Sequence, residues 1–282
     1  MTTPLNNLVV VSDLHCGCRL GICPPGGVQL DDGGTYQPSA LQEKIYAMWR
    51  SFWDEFVPEA TRGEPFGVVV NGDSIDGVHH NSTTQFSHNI GDQIRAAEEL
   101  LRPVVKACAG RFWMVRGTEA HVGSSAVSEE GMAHALKAIP NTEGQCARWD
   151  LWKELGDGKL VHLLHHIGTT GSQAYEATAV HKELVEEFVE AGRWHRKPPD
   201  CIVRSHRHRH FETSISTGTD SGETGCALAV VTPAWQGKTA FAWKIPGARL
   251  STPQFGGVLI RYAHERLFCD AKIWTVNRSP VE

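Results

Sequence analysis

The sequence predicts an α/β fold in which one domain, residues 1–282, carries two packed sheets. Three observations lead there. From residue 8 to about residue 211, short apolar runs alternate with stretches of helical periodicity. After Phe211 the pattern becomes mostly strand-like, with Gly and Pro between the runs. Finally, five apolar runs of the first part end abruptly in polar side chains that can ligate metal or bind phosphate. Open α/β sheets bind their ligands at the carboxyl ends of strands. The 282 residues (31.0 kDa) could also bury two small cores. No linker, repeat or low-complexity segment divides the chain, however, and one domain fits better.

The elements follow in order. Residues 8–12 form a strand that delivers Asp13 and His15. A Gly-, Pro- and Asp-rich loop spans 17–38, too long for a simple connector and therefore a functional candidate. Ser39 and Gln42 make a capping box, and Leu41, Ile45, Trp49, Phe52 and Phe56 form the stripe of the first helix. A strand over 66–71 runs into Gly72, Asp73 and Asp76. A polar loop over 79–89 precedes a helix with Ile90, Ile94, Ala97, Leu101 and Val104 on one face, which Pro103 is expected to kink or end. A strand over 111–115 leads to Arg116, Gly117, Thr118, Glu119 and His121, followed by a short helix over 128–138. A strand over 160–164 ends in His165 and His166. The next helix carries Ala177, Val180, Leu184 and Phe188, and a strand over 200–204 ends in Ser205, His206, Arg207 and His208. Further strand-like runs lie at 226–231, 240–244, 258–262 and 267–274.

Bulk properties exclude little and fit an ordinary globular chain: 41% hydrophobic, 21% charged. A net charge of -5 and a pI near 6.3 give no general electrostatic case for nucleic acid. No apolar stretch approaches the roughly 18 residues of a membrane span, and the chain reads as cytoplasmic with no membrane partner. Eight irregularly spaced cysteines read as buried free thiols. Cys16, Cys18 and Cys23 could form a small metal site, but no fourth partner has matching spacing, so loop thiols are the simpler reading. Gly168 to Gly171 could cradle phosphate and reads better as a turn. Thr232 to Gln236 could line a cleft or form a turn around a packed Trp235. Asp76 is balanced between a site role and a loop brace, while His79, His80 and His88 read as loop residues, one of which Asp76 could draw into a cleft. His162 reads as structural.

Histidine is the outlier, at 15 residues. Asp13, His15, Asp73, His206 and His208 form a mixed Asp/His set, which suits Zn, Mn, Fe or Ni better than Ca or Mg. Both x, x+2 pairs at strand ends can point one way, because side chains alternate along a strand. The set is too large for one tetrahedral ion and suits two that share a carboxylate.

The segments Asp-x-His at 13–15, Gly-Asp-x-x-Asp at 72–76, Gly-x-x-x-His at 117–121, the histidines at 165–166 and His-x-His at 206–208 resemble, in order, the motifs of calcineurin-like metallophosphoesterases. The likeness covers about residues 8–210; Gly21-Ile22-Cys23-Pro24-Pro25 and Asp76-Gly77-Val78-His79-His80 also look like members encoded by phages and prophages. The resemblance implies a four-layer αββα sandwich of two mixed β-sheets flanked by helices. It implies two divalent transition-metal ions (Mn, Fe, Zn or Ni). Asp13, His15, Asp73 and His208 would hold the first, with Asp73 bridging to a second held by His206 and one of His165 or His166.

One departure stands out. The family's Gly-Asn-His segment is here Gly117-Thr118-Glu119-Ala120-His121, so the Asn ligand is missing. Thr118 takes its register, Glu119 could supply an oxygen, and His121 could take the catalytic histidine's place or act as a ligand. The function implied is phosphoester hydrolysis, with phosphodiesters in a nucleotide or nucleic acid as the first expectation. Arg116, Arg204, Arg207 and Arg209 are candidate phosphate contacts, with Arg116 and Arg207 chosen for substrate binding. Alternatives are a broad phosphomonoesterase and a non-catalytic metal-binding scaffold.

Overall fold

The computed structural model describes residues 4–79, 81–168, 173–218 and 224–276. His80 and Thr169 to Gly171 lie outside the described residues.

The chain runs β1 (Asn7–Val11), β2 (Val28–Gln29), β3 (Thr35–Tyr36), α1 (Ala40–Ser51), a π-helical turn (Phe52–Phe56), α2 (Val57–Ala60), β4 (Phe66–Asn71), α3 (Ile90–Ala107), β5 (Phe112–Val115), α4 (Glu119–Val122), α5 (Val127–Ala135), β6 (Ala147–Arg148), β7 (Leu151–Leu155), β8 (Lys159–Leu163), α6 (Glu176–Arg193), β9 (Cys201–Arg204), β10 (Phe211–Gly218), β11 (Thr224–Val231), α7 (Pro246–Arg249), β12 (Gln254–Ala263) and β13 (Arg266–Thr275). The capping box forms as expected: Ser39 Oγ accepts from the Gln42 N–H while Gln42 reaches back to the Ser39 N–H.

Two mixed sheets result. The first has strand order β13-β12-β1-β4-β5-β6, with β1, β4, β5 and β6 parallel; the second runs β10-β11-β9-β8-β7, with β11, β9 and β8 parallel. Alternation along β1 explains the layering. Leu8 and Val10 point into a core shared with Val161, Leu163, Val203 and Val230 of the second sheet. Val9 and Val11 point outward, against Ile45, Trp49, Phe52, Leu101 and Val104 of the α1 and α3 side. On the far face of the second sheet, Val180 and Leu184 of α6 cover Ile202, Ala229 and Val231. The order helix, sheet, sheet, helix is the four-layer αββα sandwich.

Several local expectations are corrected. Pro103 neither ends nor interrupts α3; it faces solvent, where the carbonyl that loses its partner can meet water. Residues 240–244 are not a strand but turns leading into α7, and their aromatic side chains, Phe241 and Trp243, remain exposed instead of packing on a sheet. The strands β7 and β10 were not foreseen. Both are sheet edges with half-exposed, mixed-polarity sequences, so neither has the apolar run that marked the central strands.

Trp235 is fully buried and packs edge-on against Trp49 and Phe52, and its backbone N–H donates to the Asp13 carbonyl at 3.0 Å. It therefore ties the helical layer to the first site loop. Trp235→Ala is expected to cost about 3–5 kcal/mol of stability, measured by urea unfolding; a loss under about 1 kcal/mol would contradict its place in the core.

Candidate metal centre

The loops after β1, β4, β5, β8 and β9 meet at the carboxyl ends of both sheets. They are paired to one another as strands are. Asp13 N–H donates to the Gly72 carbonyl, His15 N–H to Asp73, Cys16 N–H to Ser74, and Ser205 N–H to His165, each at 3.0–3.1 Å. The expectation that strand alternation aims the x, x+2 pairs is corrected here. β1 ends at Val11 and β9 at Arg204, so all four side chains lie past the strands. What converges them is left-handed backbone: Asp13, His15, Asp73, His206 and His208 all have φ between 46° and 70°. Non-glycine residues seldom adopt that conformation, and it clusters where surrounding structure over-determines it.

Three carboxylates and a ring of imidazoles result. Asp13 Oδ1 is buried without a hydrogen bond, yet lies 3.2 Å from His208 Nε2, 3.9 Å from His15 Nε2 and 4.0 Å from His165 Nε2. The His15 and His208 Nε2 atoms are 3.1 Å apart. Asp73 Oδ2 lies 3.0 Å from His165 Nε2, 3.9 Å from His206 Nδ1, and 4.0 Å from both His15 Nε2 and His121 Nε2. Two groups able to hold an ion follow: Asp13, His15 and His208, and Asp73, His165 and His206. Asp73 sits between them.

The tautomers suit ligation. His165 Nδ1 is 2.7 Å from the Asn71 carbonyl, so Nδ1 carries a proton, and Nε2, which faces Asp73, is the nitrogen that can ligate once its own proton is lost. His15 Nδ1 is 3.1 Å from Asp76 Oδ1. Asp76 also receives Gln85 Nε2 at 2.6 Å and Gln236 Nε2 at 3.1 Å. It therefore braces His15, and with His121 it makes a third cluster that backs the first. The orphaned Asp13 oxygen, the paired Nε2 atoms and the buried anions together fit bound divalent cations.

Electrostatics agree. Burial pushes the Asp13 and Asp73 carboxyls up, but His208 and His165 outweigh it and hold both below the usual carboxylate range. Burial opposes charge on His165, yet Asp73 and Asp13 hold that imidazole up at about 10. Burial lowers His208 despite Asp13. Burial and the neighbouring His15 ring push His121 down to about 4.

The remaining predicted residues divide. Of the histidine pair, His165 is buried in the second group, whereas His166 is exposed and belongs to neither. Glu119 is not brought in either: it opens α4 with an exposed side chain. Thr118 is inside, its Oγ1 3.1 Å from His206 Nδ1, 3.3 Å from Asp73 Oδ2 and 3.4 Å from His165 Nε2. His121 lines the cleft, with Nδ1 2.7 Å from the Asp76 carbonyl. Arg116 points away, donating to the Ala147 carbonyl and lying over the Trp149 ring. Arg204 is buried against Glu183, and Arg209 pairs with Glu176; only Arg207 of the four lines the cleft. His79 also lines it, beside His121. Cys16, Cys18 and Cys23 are buried, join no metal-capable cluster among the described residues, and are held as thiols, Cys18 at about 11 and Cys23 at about 12, by burial.

Glu129 was missed by sequence reading. It is fully buried on α5, where its two carboxylate oxygens accept the Ser74 and Gly117 N–H groups at 3.0 and 2.6 Å. It clamps the two loops that carry Asp73 and Thr118, and burial raises its carboxyl to about 7. Nothing in the sequence marks it, because it lies outside the strand-end segments. Gly117 is required by close approach: a Cβ there would fall 2.2 Å from Asp73 Oδ1.

No family model and no curated protein matches the chain. Distant solved structures do. A Thermotoga maritima protein solved by NMR shares 11% identity at a TM-score of 0.38, covering 96% of this chain and 100% of its own. Vacuolar protein sorting 29 from Cryptosporidium parvum shares 12% at 0.36, covering 97% and 100%. The sulfate thiohydrolase SoxB from Thermus thermophilus shares 11% at 0.38, covering 96% of this chain and 56% of its own. The functional reading rests on the geometry above.

Two outcomes are expected. Because His165 is protonated below about pH 10 without metal, metal binding must expel that proton. Apparent Mn²⁺ affinity should therefore rise up to about tenfold per pH unit between pH 7 and 9, by titration calorimetry; a flat profile would contradict ligation by His165. Asp76→Ala should weaken metal binding by about 10–100-fold while circular dichroism stays native.

Proposed function

We propose that the protein is a dinuclear-metal-dependent hydrolase of phosphoesters, with phosphodiesters as its preferred class. The observation that supports this most is Asp73, one carboxylate set between two Asp/His groups. Asp13, His15, Asp73 and His208 would hold one ion, and Asp73, His165 and His206, with Thr118 beside them, the other. Bound divalent ions (Mn, Fe, Zn or Ni) supply an acidified water as nucleophile and neutralise charge on the phosphoryl oxygens. Asp76 and the Asn71 carbonyl hold the His15 and His165 rings in the ligating tautomer. Arg207 offers a guanidinium to a phosphoryl oxygen at the lip of the cleft. His121, with Nδ1–H given to the Asp76 carbonyl, presents Nε2 to the cleft and serves the leaving oxygen. Burial and His15 keep it neutral in the free protein, so the proton it passes to the leaving oxygen is taken up from solvent, a step the negative charge of a bound substrate favours.

Size and charge favour a small substrate. The cleft encloses about 370 Å³, the scale of a small-molecule site. A chain of net charge -5 offers no general attraction for a long nucleic acid. A nucleotide-sized diester is therefore the substrate proposed, with no membrane partner.

The test is hydrolysis of bis-p-nitrophenyl phosphate and p-nitrophenyl phosphate with Mn²⁺, the diester being the faster. Two bound metals with no turnover of either ester or of DNA would overturn the enzyme reading and leave a metal-binding scaffold. His121→Ala should cut kcat by about 10²–10⁴ with metal content unchanged; loss of metal would make His121 a ligand instead. Thr118→Asn, which supplies an amide oxygen where the hydroxyl stands, should tighten the weaker of the two metal sites in calorimetry.

A further inference from the structure

The cleft of about 370 Å³ has two unlike walls. One carries the carboxylates and imidazoles. The other is the segment 236–253, which presents Phe241, Ala242, Ile245 and Ala248. Phe241 is 53% exposed and Ile245 38%, so large apolar side chains stand open in the same cleft as the Asp/His groups. The segment is braced. Lys238 Nζ bonds the carbonyls of Arg249 and Ser251 at 2.8 and 2.6 Å and lies 4.1 Å from the Trp243 ring, which closes the loop on itself. Gly237 N–H donates to the Leu20 carbonyl at 2.8 Å. Gln236 reaches Asp76, the carboxylate that orients His15, so the wall is anchored to the metal centre itself.

We infer that this wall is the subsite for the organic group of the ester and that the group is a planar aromatic ring. The inference rests on the phosphoester reading of the site. With phosphorus held at the carboxylate–imidazole wall, the remainder of the substrate must cross the cleft to the apolar one. A rigid ring covers an aromatic and aliphatic face with much apolar area and little lost rotational freedom. The volume is that of a small-molecule site and suits one ring on a phosphoryl group better than a polymer.

The test uses two non-hydrolysable probes on the Mn²⁺-loaded protein, phenylphosphonate and methylphosphonate, by titration calorimetry. Phenylphosphonate should bind roughly tenfold more tightly. Phe241→Ala and Ile245→Ala should each move its affinity toward that of methylphosphonate, with both metals retained. Equal affinities in the wild type, or a preference that survives the double substitution, would overturn the subsite, as would failure of both probes to bind. Turnover of phosphoesters distinguishes the two readings. A phenyl preference without turnover of any ester sinks the enzyme reading and leaves the ring subsite, while turnover without a preference sinks the subsite alone.

Discussion

Asp73 is a buried carboxylate that the whole site is arranged to keep ionised. Burial alone would drive its proton on. His165 at 3.0 Å, His206 and His121 reverse that, and the backbone N–H of Thr118 donates to its other oxygen at 2.7 Å. An anion so placed needs positive charge beside it. In the free protein the His165 imidazolium supplies it, and a divalent ion can take that place only by displacing the proton. Metal affinity, proton release and the ionisation of Asp73 are thus one electrostatic problem, set by the same few side chains.

That solution is held by strained backbone. Five of the acidic and imidazole side chains sit on left-handed residues, at about 1–2 kcal/mol each. Offsetting bonds surround them: the loop-to-loop pairs from Asp13 to Gly72 and His15 to Asp73, the Trp235 backbone N–H on the Asp13 carbonyl, and Glu129 across Ser74 and Gly117. The sheets stop, but their pairing continues through the loops. This is why the ligands have fixed positions although they stand on irregular chain. The apolar wall of the cleft joins the same network through Gln236 and Asp76, so it and the Asp/His cluster share an anchor.

Much of this was legible beforehand. The central strands β1, β4, β5, β8 and β9 announce themselves as buried apolar runs, since a strand covered on both faces has no polar side to show. Their polar termini name most of the clustered residues by type and order. Edge strands such as β10 lack that signal because half their side chains face water. Glu129 was hidden for another reason: it acts on the Ser74 loop, 55 positions away in sequence. Arg116 misled because a guanidinium beside a strand end reads as a phosphate contact, while packing turned it toward the Ala147 carbonyl and Trp149.

The sequence by itself determined an α/β chain with two packed sheets, the strand ends where chemistry would gather, and an Asp/His composition able to hold metal. These depend on periodicity and on side-chain chemistry, which are local. Only the tertiary structure decided which of two adjacent histidines faces inward, that Thr118 and not Glu119 stands beside Asp73, and that left-handed turns rather than strand alternation aim the clustered side chains. Those outcomes turn on a single φ angle or a one-residue step, and both are set by contacts between segments that the chain order keeps apart.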